Sequence, residues 1–191
     1  MTSTSRATDA SELLADDEML LAWRAGDHAA LGRVYVTYSE AVRGFLARIY
    51  GGRMDDIDDV LQQVFLTAHN AIAQFRGDAQ LRTWLFGIAV RVAARHRRSR
   101  ARRTQASEKW TELAPTWAAP PDNNARQQLL ALANALVDLD DDLRIAFVMC
   151  AIEQVPGREA AAVLGIREGT LAKRVHTARE HLRSELGRTA P

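Results

Sequence analysis

The stretch LRTWLFGIAVRVAARHRRSRARR, residues 81–103, decides how the rest of this chain is interpreted. Its first half carries aromatic and aliphatic residues at helical spacing, and its second half is rich in arginine. From Ala79 to Ser107 there is no Asp or Glu, so the arginines have no acidic neighbours nearby in sequence. The first half is therefore predicted to lie in a core, while the second faces water, phosphate or acidic residues elsewhere in the chain.

Two rows of side chains follow the periodicity of this predicted helix. The apolar residues at spacings of three and four form one face: Leu81, Trp84, Leu85, Ile88 and Val92. The arginines at spacings of four, three and four form a stripe beside it: Arg91, Arg95, Arg98 and Arg102. Such a row of guanidinium groups suits a nucleic-acid backbone, and an ordinary solvated face is the alternative.

The net charge of +1 conceals four blocks of alternating sign. Two blocks are acidic: residues 1–63 carry 11 acids and 6 bases, and residues 111–157 carry 7 acids and 2 bases. Two blocks are basic: residues 64–110 carry 2 acids and 10 bases, and residues 158–191 carry 4 acids and 7 bases. One explanation is two modules, each with an acidic half that faces protein and a basic half that faces nucleic acid. The alternative is that each basic block docks on an acidic one.

Composition limits the possible classes of protein. A chain of 191 residues with 47% hydrophobic content can bury a core, and we expect two small domains. No window approaches a membrane span and the first 17 residues lack a signal peptide's apolar region, so a cytoplasmic protein without a membrane contact is expected. The single cysteine, Cys150, excludes an intrachain disulfide and a Cys-rich zinc site, and its apolar neighbours favour a buried thiol.

We expect an all-α fold of two small helical domains joined by a flexible linker. Residues 1–15 are predicted to be disordered, residues 16–103 to form the first domain, residues 104–124 the linker, residues 125–187 the second domain and residues 188–191 a tail. Within the first domain, Asp27 is expected to cap a helix that ends at Gly51 and Gly52. The linker contains Trp110 and Trp117, whose role the sequence leaves open.

The second domain carries the most specific local pattern. Arg158 to Leu164 is predicted to form a short helix, Gly165 a tight turn with positive φ, and a last helix to start at Glu168 or Gly169 and run to Leu186. A small residue, Ala161, lies four positions before this glycine and Leu171 lies six after it. This spacing predicts a helix-turn-helix within a four-helix domain.

The last helix has a predicted buried face and a predicted DNA face. The buried face holds Leu171, Val175, Ala178 and Leu182. Residues on the other side are candidates for base contacts, led by Thr170 and Lys173 and followed by His176 and Thr177. Flanking arginines suit phosphates: Arg174, Arg179 and Arg183.

Three segments in order resemble the extracytoplasmic-function (ECF) class of bacterial RNA polymerase sigma factors. DDIDDVLQQVF, residues 55–65, is similar to the family's polymerase-binding segment. FRGDAQLRTWLFGIAVRVAARHRR, residues 75–98, is similar to its minus-ten segment, and AAAVLGIREGTLAKRVHTAREHLR, residues 160–183, to its minus-thirty-five helix-turn-helix. The likeness extends from Glu18 to Leu186.

The resemblance implies a role for each segment. Residues implied to bind core polymerase are Asp56, Asp59, Gln62, Gln63 and Phe65. Residues implied to bind the minus-ten element are Phe75, Arg76, Arg82, Trp84, Arg91, Arg95 and Arg98. Residues implied to bind the minus-thirty-five element are Arg158, Thr170, Lys173, Arg174, His176, Thr177 and Arg179. The chain departs from the family's usual residues at three positions. Gln63 stands where the family usually has Glu, Arg91 where it usually has Asn, and Ala172 where it usually has a basic residue.

An alternative sigma factor is therefore the main hypothesis, with no catalytic residue, metal or cofactor. Its implied partners are core RNA polymerase, through the clamp coiled coil and the flap, and promoter DNA as duplex and melted strand. An anti-sigma factor is left open. The first alternative is a helix-turn-helix regulator that binds an operator without polymerase.

A more distant alternative rests on acidic residues. The letters from Asp55 to Asp59 satisfy DDxxD, the magnesium-binding spacing of all-α prenyl diphosphate synthases, and Asp140 to Asp142 could form a second cluster. A short chain with an arginine-rich centre is poorly suited to the deep apolar cavity that such an enzyme needs. Carboxylates at a helix N-terminus also have a simpler role, because they interact favourably with the helix dipole.

Overall fold

A computed structural model describes residues 18–50, 56–104 and 123–189. Every regular element in these ranges is helical, which confirms the expected all-α fold with two helical domains. Some expectations fall outside the described residues. These are the disordered segment 1–15, the helix end at Gly51 and Gly52, the linker interior with Trp110 and Trp117, and the last two residues of the tail.

The described residues form the following helices in chain order: α1 (residues 18–24), α2 (His28–Tyr50), α3 (Ile57–Ala71), α4 (Leu81–Thr104), α5 (Asn123–Val137), α6 (Asp141–Phe147), α7 (Gly157–Leu164) and α8 (Glu168–Thr189). A 3-10 turn, Ile72–Gln74, follows α3, and a π-helical turn, Val148–Ile152, follows α6. Within these ranges no helix has the length and apolar character to span a bilayer.

Helix α2 begins where the sequence predicts. Gly26 has a φ of 89° and breaks the chain after α1. Asp27 then accepts a hydrogen bond at its Oδ1 atom from the backbone N–H of Ala29, at 2.8 Å. This bond satisfies one of the unpaired donors of the first turn and lowers the pKa of the Asp27 carboxyl. The predicted cap is confirmed.

The core of the first domain is formed by α2, α3 and α4. Phe45 of α2 and Phe86 of α4 are fully buried and stack with ring centroids 4.3 Å apart. At the far end of α2, the Tyr50 hydroxyl donates a hydrogen bond of 2.7 Å to the carbonyl of Ala93. Burial raises the pKa of Tyr50 to about 12. These contacts tie α4 to α2 along half of its length.

Helix α4 is more deeply buried than one apolar face would allow. Leu81, Leu85 and Ile88 lie in the core as expected, but Phe86 and Ala89 on another side are buried as well. Phe86 is covered by Phe45 of α2, and α7 of the second domain packs on α4 where Gly87 faces Val163. The predicted single face is therefore too narrow, because α4 packs against α2, α3 and α7 and the sequence periodicity indicates only one buried side.

The second domain contains the predicted helix-turn-helix, formed by α7 and α8. Gly165 has a φ of 68°, and its N–H donates to the carbonyl of Ala162 at 3.1 Å while that of Ile166 donates to Ala161 at 3.0 Å. This pair of bonds is a Schellman motif, which ends α7 and turns the chain. The predicted buried residues of α8 are all buried: Leu171, Val175, Ala178 and Leu182.

One helix of the second domain ends irregularly, and another ends later than predicted. Helix α6 starts at Asp141 and widens into the π turn, so that the N–H of Glu153 donates to the carbonyl of Val148 instead of completing an α-helical turn. Gln154 follows with a φ of 55°, a left-handed conformation that non-glycine residues seldom adopt. The last helix continues three residues beyond Leu186, to Thr189.

The two domains share one hydrophobic core. Residues of α6, the π turn, α7 and the start of α8 belong to the same buried cluster as the core of the first domain. A smaller cluster joins α5 to the far end of α8, through Leu136, Leu139, Ala178 and Leu182. The sequence predicts two domains but not this contact between them.

The turn of the helix-turn-helix gives a test of the fold. We expect Gly165→Ala to lower the free energy of unfolding by about 1–2 kcal/mol, since a Cβ is disfavoured at positive φ. No atom lies within 4 Å of the added Cβ, so the loss is one of backbone conformation alone. Gly169→Ala in α8 is the matched control, with equal space and negative φ, and should raise stability by up to about 1 kcal/mol. Urea unfolding measures both, and equal effects of the two changes would contradict the assignment.

Candidate nucleic-acid interface

The arginine stripe of α4 emerges from the core at its predicted position. Arg91, Arg95 and Arg98 are exposed, and Arg102 continues the same helix. Arg98 follows Arg91 by seven positions, which places the two about 10 Å apart along the helix axis. Arg95 makes no ion pair within the described part of the chain. The stripe is therefore a basic row on the surface of the first domain.

Arg91 is the exception within the stripe. Its Nη1 atom donates a hydrogen bond of 3.1 Å to the carbonyl oxygen of Val163, at the end of α7. Partial desolvation at this contact lowers the pKa of its guanidinium from the ordinary value. The residue at which this chain departs from the family's usual Asn therefore contacts the second domain.

A groove of about 870 Å³ lies between α3 and α4 and joins two of the predicted sites. Asp59, Gln63 and Thr67 line it from α3, and Arg91 and Arg95 are among the residues that line it from α4. Acidic and amide groups thus face arginines across an open channel. The predicted polymerase-binding and minus-ten surfaces are neighbours on one side of the first domain.

The predicted polymerase-binding residues differ in exposure. Asp59, Gln62 and Gln63 are exposed on α3. Asp56 is half-buried, with its Oδ2 atom 3.6 Å from Nε2 of His96. Phe65 differs from the expectation of a surface residue: it is 4% exposed and packs edge to face on Tyr35, with centroids 4.8 Å apart.

Apolar side chains near this face were not predicted as site residues. Tyr35 and Val36 on α2 and Leu66 on α3 are large hydrophobic residues that remain exposed. Tyr35 covers Phe65, so α2 contributes to the same face as α3. In the sequence, Tyr35 fits the apolar periodicity of a core residue, so the sequence does not distinguish it from the residues that are buried.

The loop before α4 is anchored at one end and exposed in the middle. Phe75 is buried against Trp84, with ring centroids 5.0 Å apart, and its carbonyl accepts a hydrogen bond from the Arg24 guanidinium. Arg76 is exposed, and Gly77 follows with a φ of 80°. Phe75 and Trp84 therefore support the loop, while Arg76 projects from it.

Residues of α1 and α3 complete the support of this loop. Trp23 contacts Trp84 edge to face, with centroids 6.5 Å apart, and its Nε1–H donates to Nδ1 of His69 at 3.1 Å. The Arg24 guanidinium also lies over the Phe75 ring, 5.7 Å from its centroid. Neither Arg24 nor His69 belongs to a recognisable motif, so the sequence does not predict them as site residues.

Arg82 occupies a different environment from the one predicted. Its guanidinium forms an ion pair with the buried carboxylate of Glu153 in the second domain, and it lies over the Phe86 ring at 4.8 Å. In this arrangement the predicted minus-ten residue is engaged by protein. At Arg82, therefore, a basic residue docks on an acidic one, as the alternative interpretation of the charge blocks predicts.

The outer face of α8 is accessible along the predicted positions. Thr170, Lys173 and His176 are exposed and Thr177 is half-buried. His176 lies 3.4 Å from Glu180 on the same helix. This face contains donors and acceptors of the kind that read base edges in a major groove.

The flanking arginines of this domain have two kinds of environment. Arg158 and Arg179 are exposed. Arg174 is half-buried and pairs with Asp142 of α6.

Cys150 lies half-buried beneath the start of α8, where burial raises the pKa of its thiol.

Two of the acidic residues that suggested a second magnesium cluster are paired with basic groups. Asp141 forms ion pairs with Arg97 and Arg144, and Asp142 with Arg174. Asp55 lies outside the described residues. No cluster of three or more potential ligands from His, Cys, Asp and Glu occurs in residues 18–50, 56–104 and 123–189.

Two family models match the chain in order. Sigma-70 region 2 matches residues 34–103, and sigma-70 region 4 matches residues 129–182. The first range holds α3, the loop and the basic helix α4, and the second holds the helix-turn-helix. Both matched segments therefore coincide with the two surfaces described above.

Relatives and solved structures agree with this match. The ECF RNA polymerase sigma-E factor of Escherichia coli is 28% identical over 180 residues, covering 89% of this chain and 93% of that protein. The protein of the same name from Haemophilus influenzae is 27% identical over 186 residues, covering 92% and 97%.

Two solved structures share the fold over most of the chain. The sigma factor RpoE of Bartonella quintana, solved with the anti-sigma factor NepR, has a TM-score of 0.66 and 25% identity, covering 82% of this chain and 96% of that one. CnrH, solved with the cytosolic domain of CnrY, has a TM-score of 0.66 and 26% identity, covering 92% and 99%. With two helical domains matching sigma-70 regions 2 and 4 in order, this chain belongs to the ECF class of RNA polymerase sigma factors.

Proposed function

We propose that this protein is an alternative sigma factor that binds core RNA polymerase, directs it to a promoter with two elements and supports transcription initiation. The observation that carries this proposal is the presence of two nucleic-acid surfaces on one chain. The arginine stripe of α4 lies in the sigma-70 region 2 match, and the exposed face of α8 lies in the region 4 match. The comparisons favour neither the operator-binding regulator nor the prenyl diphosphate enzyme.

In this proposal α3 binds the clamp coiled coil of the polymerase, and the flap provides a further contact. The exposure of Asp59, Gln62 and Gln63 supports this role, since polar side chains on one helix face can pair with a basic helical partner. Tyr35 and Leu66 add apolar area beside them. Phe65 contributes by holding Tyr35 in place.

The minus-ten element is bound by the loop after α3 and by α4. A base that leaves the duplex needs a small protein pocket, and the separated strand needs a basic track with aromatic support. Arg76 on the loop, Trp84 beneath it and the arginines Arg95 and Arg98 meet these needs. The second domain reads the minus-thirty-five duplex through Thr170 and Lys173 in the major groove.

The proposal extends to what the protein does not do and where it acts. The chain has no catalysis of its own, and it acts in the cytoplasm, where the polymerase and the promoter are. Since RpoE of Bartonella quintana was solved with an anti-sigma factor, such a factor is also a proposed partner of this chain. Co-purification from the native host identifies it directly.

The basic experiment is a binding assay with core RNA polymerase followed by transcription in vitro. The full chain should form a complex with core enzyme and initiate from a two-element promoter. Alone, it should bind duplex DNA weakly. Tight duplex binding without core enzyme, combined with no complex with core enzyme, would favour the operator-binding regulator instead.

The arginine stripe yields a prediction about salt. Arg95→Ala and Arg98→Ala should each reduce open-complex formation, and each should lower the slope of log affinity against log salt by about one unit, because one phosphate contact is lost. Filter binding of holoenzyme to promoter DNA at several salt concentrations measures the slope. Arg33→Ala, on the exposed side of α2, is the control and should leave the slope unchanged. If the slope of log affinity against log salt stayed the same in all three variants, the stripe would contact protein and not phosphate.

The outer face of α8 yields a prediction about sequence preference. Lys173→Ala should weaken binding by about 1–3 kcal/mol only on promoters with the preferred upstream base, because a base contact distinguishes sequences. Arg179→Ala should weaken binding to all promoters alike, because a phosphate contact does not. Competition binding with a set of single-base promoter variants compares them. A uniform loss for Lys173→Ala would assign it to the DNA backbone.

A further inference from the structure

Helix α1 ends against the loop that precedes α4. This loop, residues 75–80, is named the minus-ten loop below, after the element that the proposed function assigns to it. The match to sigma-70 region 2 begins at residue 34, so α1 lies outside the matched segment. Two successive residues of α1 nevertheless contact two of the proposed minus-ten residues: Trp23 contacts Trp84, and Arg24 contacts Phe75.

Trp23 anchors α1 in the core of the first domain. Its side chain is 1% exposed, and its Nε1–H donates a hydrogen bond of 3.1 Å to Nδ1 of His69 on α3. A buried indole N–H is unfavourable without a partner, so this bond selects one orientation of the ring. Arg24 is the next residue along α1, and its place on the domain follows from this anchor.

A Schellman motif ends α1 directly after Arg24. Gly26 has a φ of 89°, and its N–H donates to the carbonyl of Trp23 at 3.1 Å. The N–H of Asp27 donates to the carbonyl of Ala22 at 3.0 Å. This pair of bonds satisfies two carbonyls of the last helical turn and gives the chain a defined direction. The backbone of Arg24 is therefore held on both sides.

The Arg24 guanidinium makes two different contacts to Phe75. Its Nη2 atom donates a hydrogen bond to the Phe75 carbonyl oxygen, and its central carbon lies 5.7 Å from the centroid of the Phe75 ring. A planar guanidinium can donate within its plane and stack through its face at the same time, whereas an ammonium group cannot. Arg24 thus contacts both the backbone and the side chain of one residue.

The other groups of Phe75 are engaged as well. Its N–H donates to the carbonyl of Ile72 at 3.1 Å, and its ring, which is 6% exposed, lies 5.0 Å from that of Trp84. The two residues after it, Arg76 and Gly77, are exposed, and Gly77 has a φ of 80°. Phe75 is therefore the fixed point from which the exposed part of the minus-ten loop begins.

The hydrogen bond to the Phe75 carbonyl has a consequence for the next residue. A peptide unit is planar, so this oxygen lies in one plane with the N–H and the Cα of Arg76. A bond that holds the oxygen opposes rotation of the peptide and fixes the direction in which Arg76 leaves the domain. A binding site depends on such placement, because a misplacement of about 1 Å is enough to weaken it.

We propose that Arg24 is a positioning residue for the minus-ten element: it sets the orientation of the peptide between Phe75 and Arg76 and so presents the minus-ten loop to the separated DNA strand. Arg24 acts through Phe75 and contacts no DNA itself. This inference rests on the proposed sigma function and adds α1 to the minus-ten site. Arg24 is exposed, so its replacement leaves no cavity in the core, and positioning can be tested apart from folding.

Arg24→Met in the full chain, assembled with core RNA polymerase, tests this role. Methionine retains a long unbranched side chain but lacks the donor and the charge. On a promoter fragment that the wild-type holoenzyme opens, initial binding of the duplex should be unchanged. The equilibrium constant for strand opening should fall by about tenfold, as expected for the loss of a hydrogen bond from a charged donor. Gel shift at a temperature too low for opening measures the first step, and permanganate reactivity of unpaired thymines at saturating holoenzyme measures the second.

Two further variants provide the comparison. Arg33→Met on α2 removes an equal charge from an exposed side chain that pairs with Asp27, and it should change neither step. Arg24→Lys should show an intermediate loss of opening, because an ammonium group can donate to the carbonyl without also stacking on the ring. Circular dichroism and urea unfolding verify that each variant folds. A merely structural role would reduce the amount of active holoenzyme and leave the opened fraction of bound complexes unchanged.

Salt dependence distinguishes positioning from a direct phosphate contact. With a positioning role, the slope of log affinity against log salt should be the same for Arg24→Met and the wild type. A slope lower by about one unit, restored fully in Arg24→Lys, would assign Arg24 to a DNA phosphate and overturn the positioning role. Equal strand opening by Arg24→Met and the wild type would also overturn it, with the sigma function intact. A wild-type protein that bound no core polymerase would end the proposed function, and this inference with it.

Discussion

The structure depends on the double burial of the first half of α4. Phe86, Ala89 and their neighbours contact α2 and α3 on one side and the second domain on the other. Each buried aromatic or large aliphatic side chain contributes about 1.5–3 kcal/mol relative to exposure, so this segment is the main source of attachment for both domains. The basic second half of the same rigid helix is held in position by that attachment.

A single helix can therefore serve a core and a nucleic-acid surface. Over its 24 residues α4 extends about 36 Å, which is longer than the first domain needs for its core. Its hydrophobic character ends near Ala93, where the Tyr50 hydroxyl caps the packed region, and Arg95 and Arg98 beyond it are exposed. The backbone beneath the stripe is continuous with a buried segment, so binding to phosphates need not order the helix itself, and only the side chains lose conformational freedom.

The local features of the fold follow from local chemistry and were predictable. Asp27 caps α2, Gly165 adopts the positive φ that its turn requires, and the buried residues of α8 recur at spacings of four, three and four. Each depends on neighbours within a few residues, which is the distance over which helix periodicity and capping act. The candidate DNA face of α8 was predictable for the same reason, since it is the side opposite the apolar residues.

By itself, the sequence determined the helices, the helix-turn-helix, the basic stripe and the family. Only the tertiary structure decided which charged groups meet: Glu153 is separated by 71 residues from Arg82 and by 105 from Arg48. It also decided that Phe65 is covered by Tyr35 and that Arg91 contacts Val163. The physical reason is that periodicity identifies an apolar face but not its partner, and a charge pattern identifies a basic block but not the acid that neutralises it. Those depend on how the two domains pack, which is a property of the folded chain.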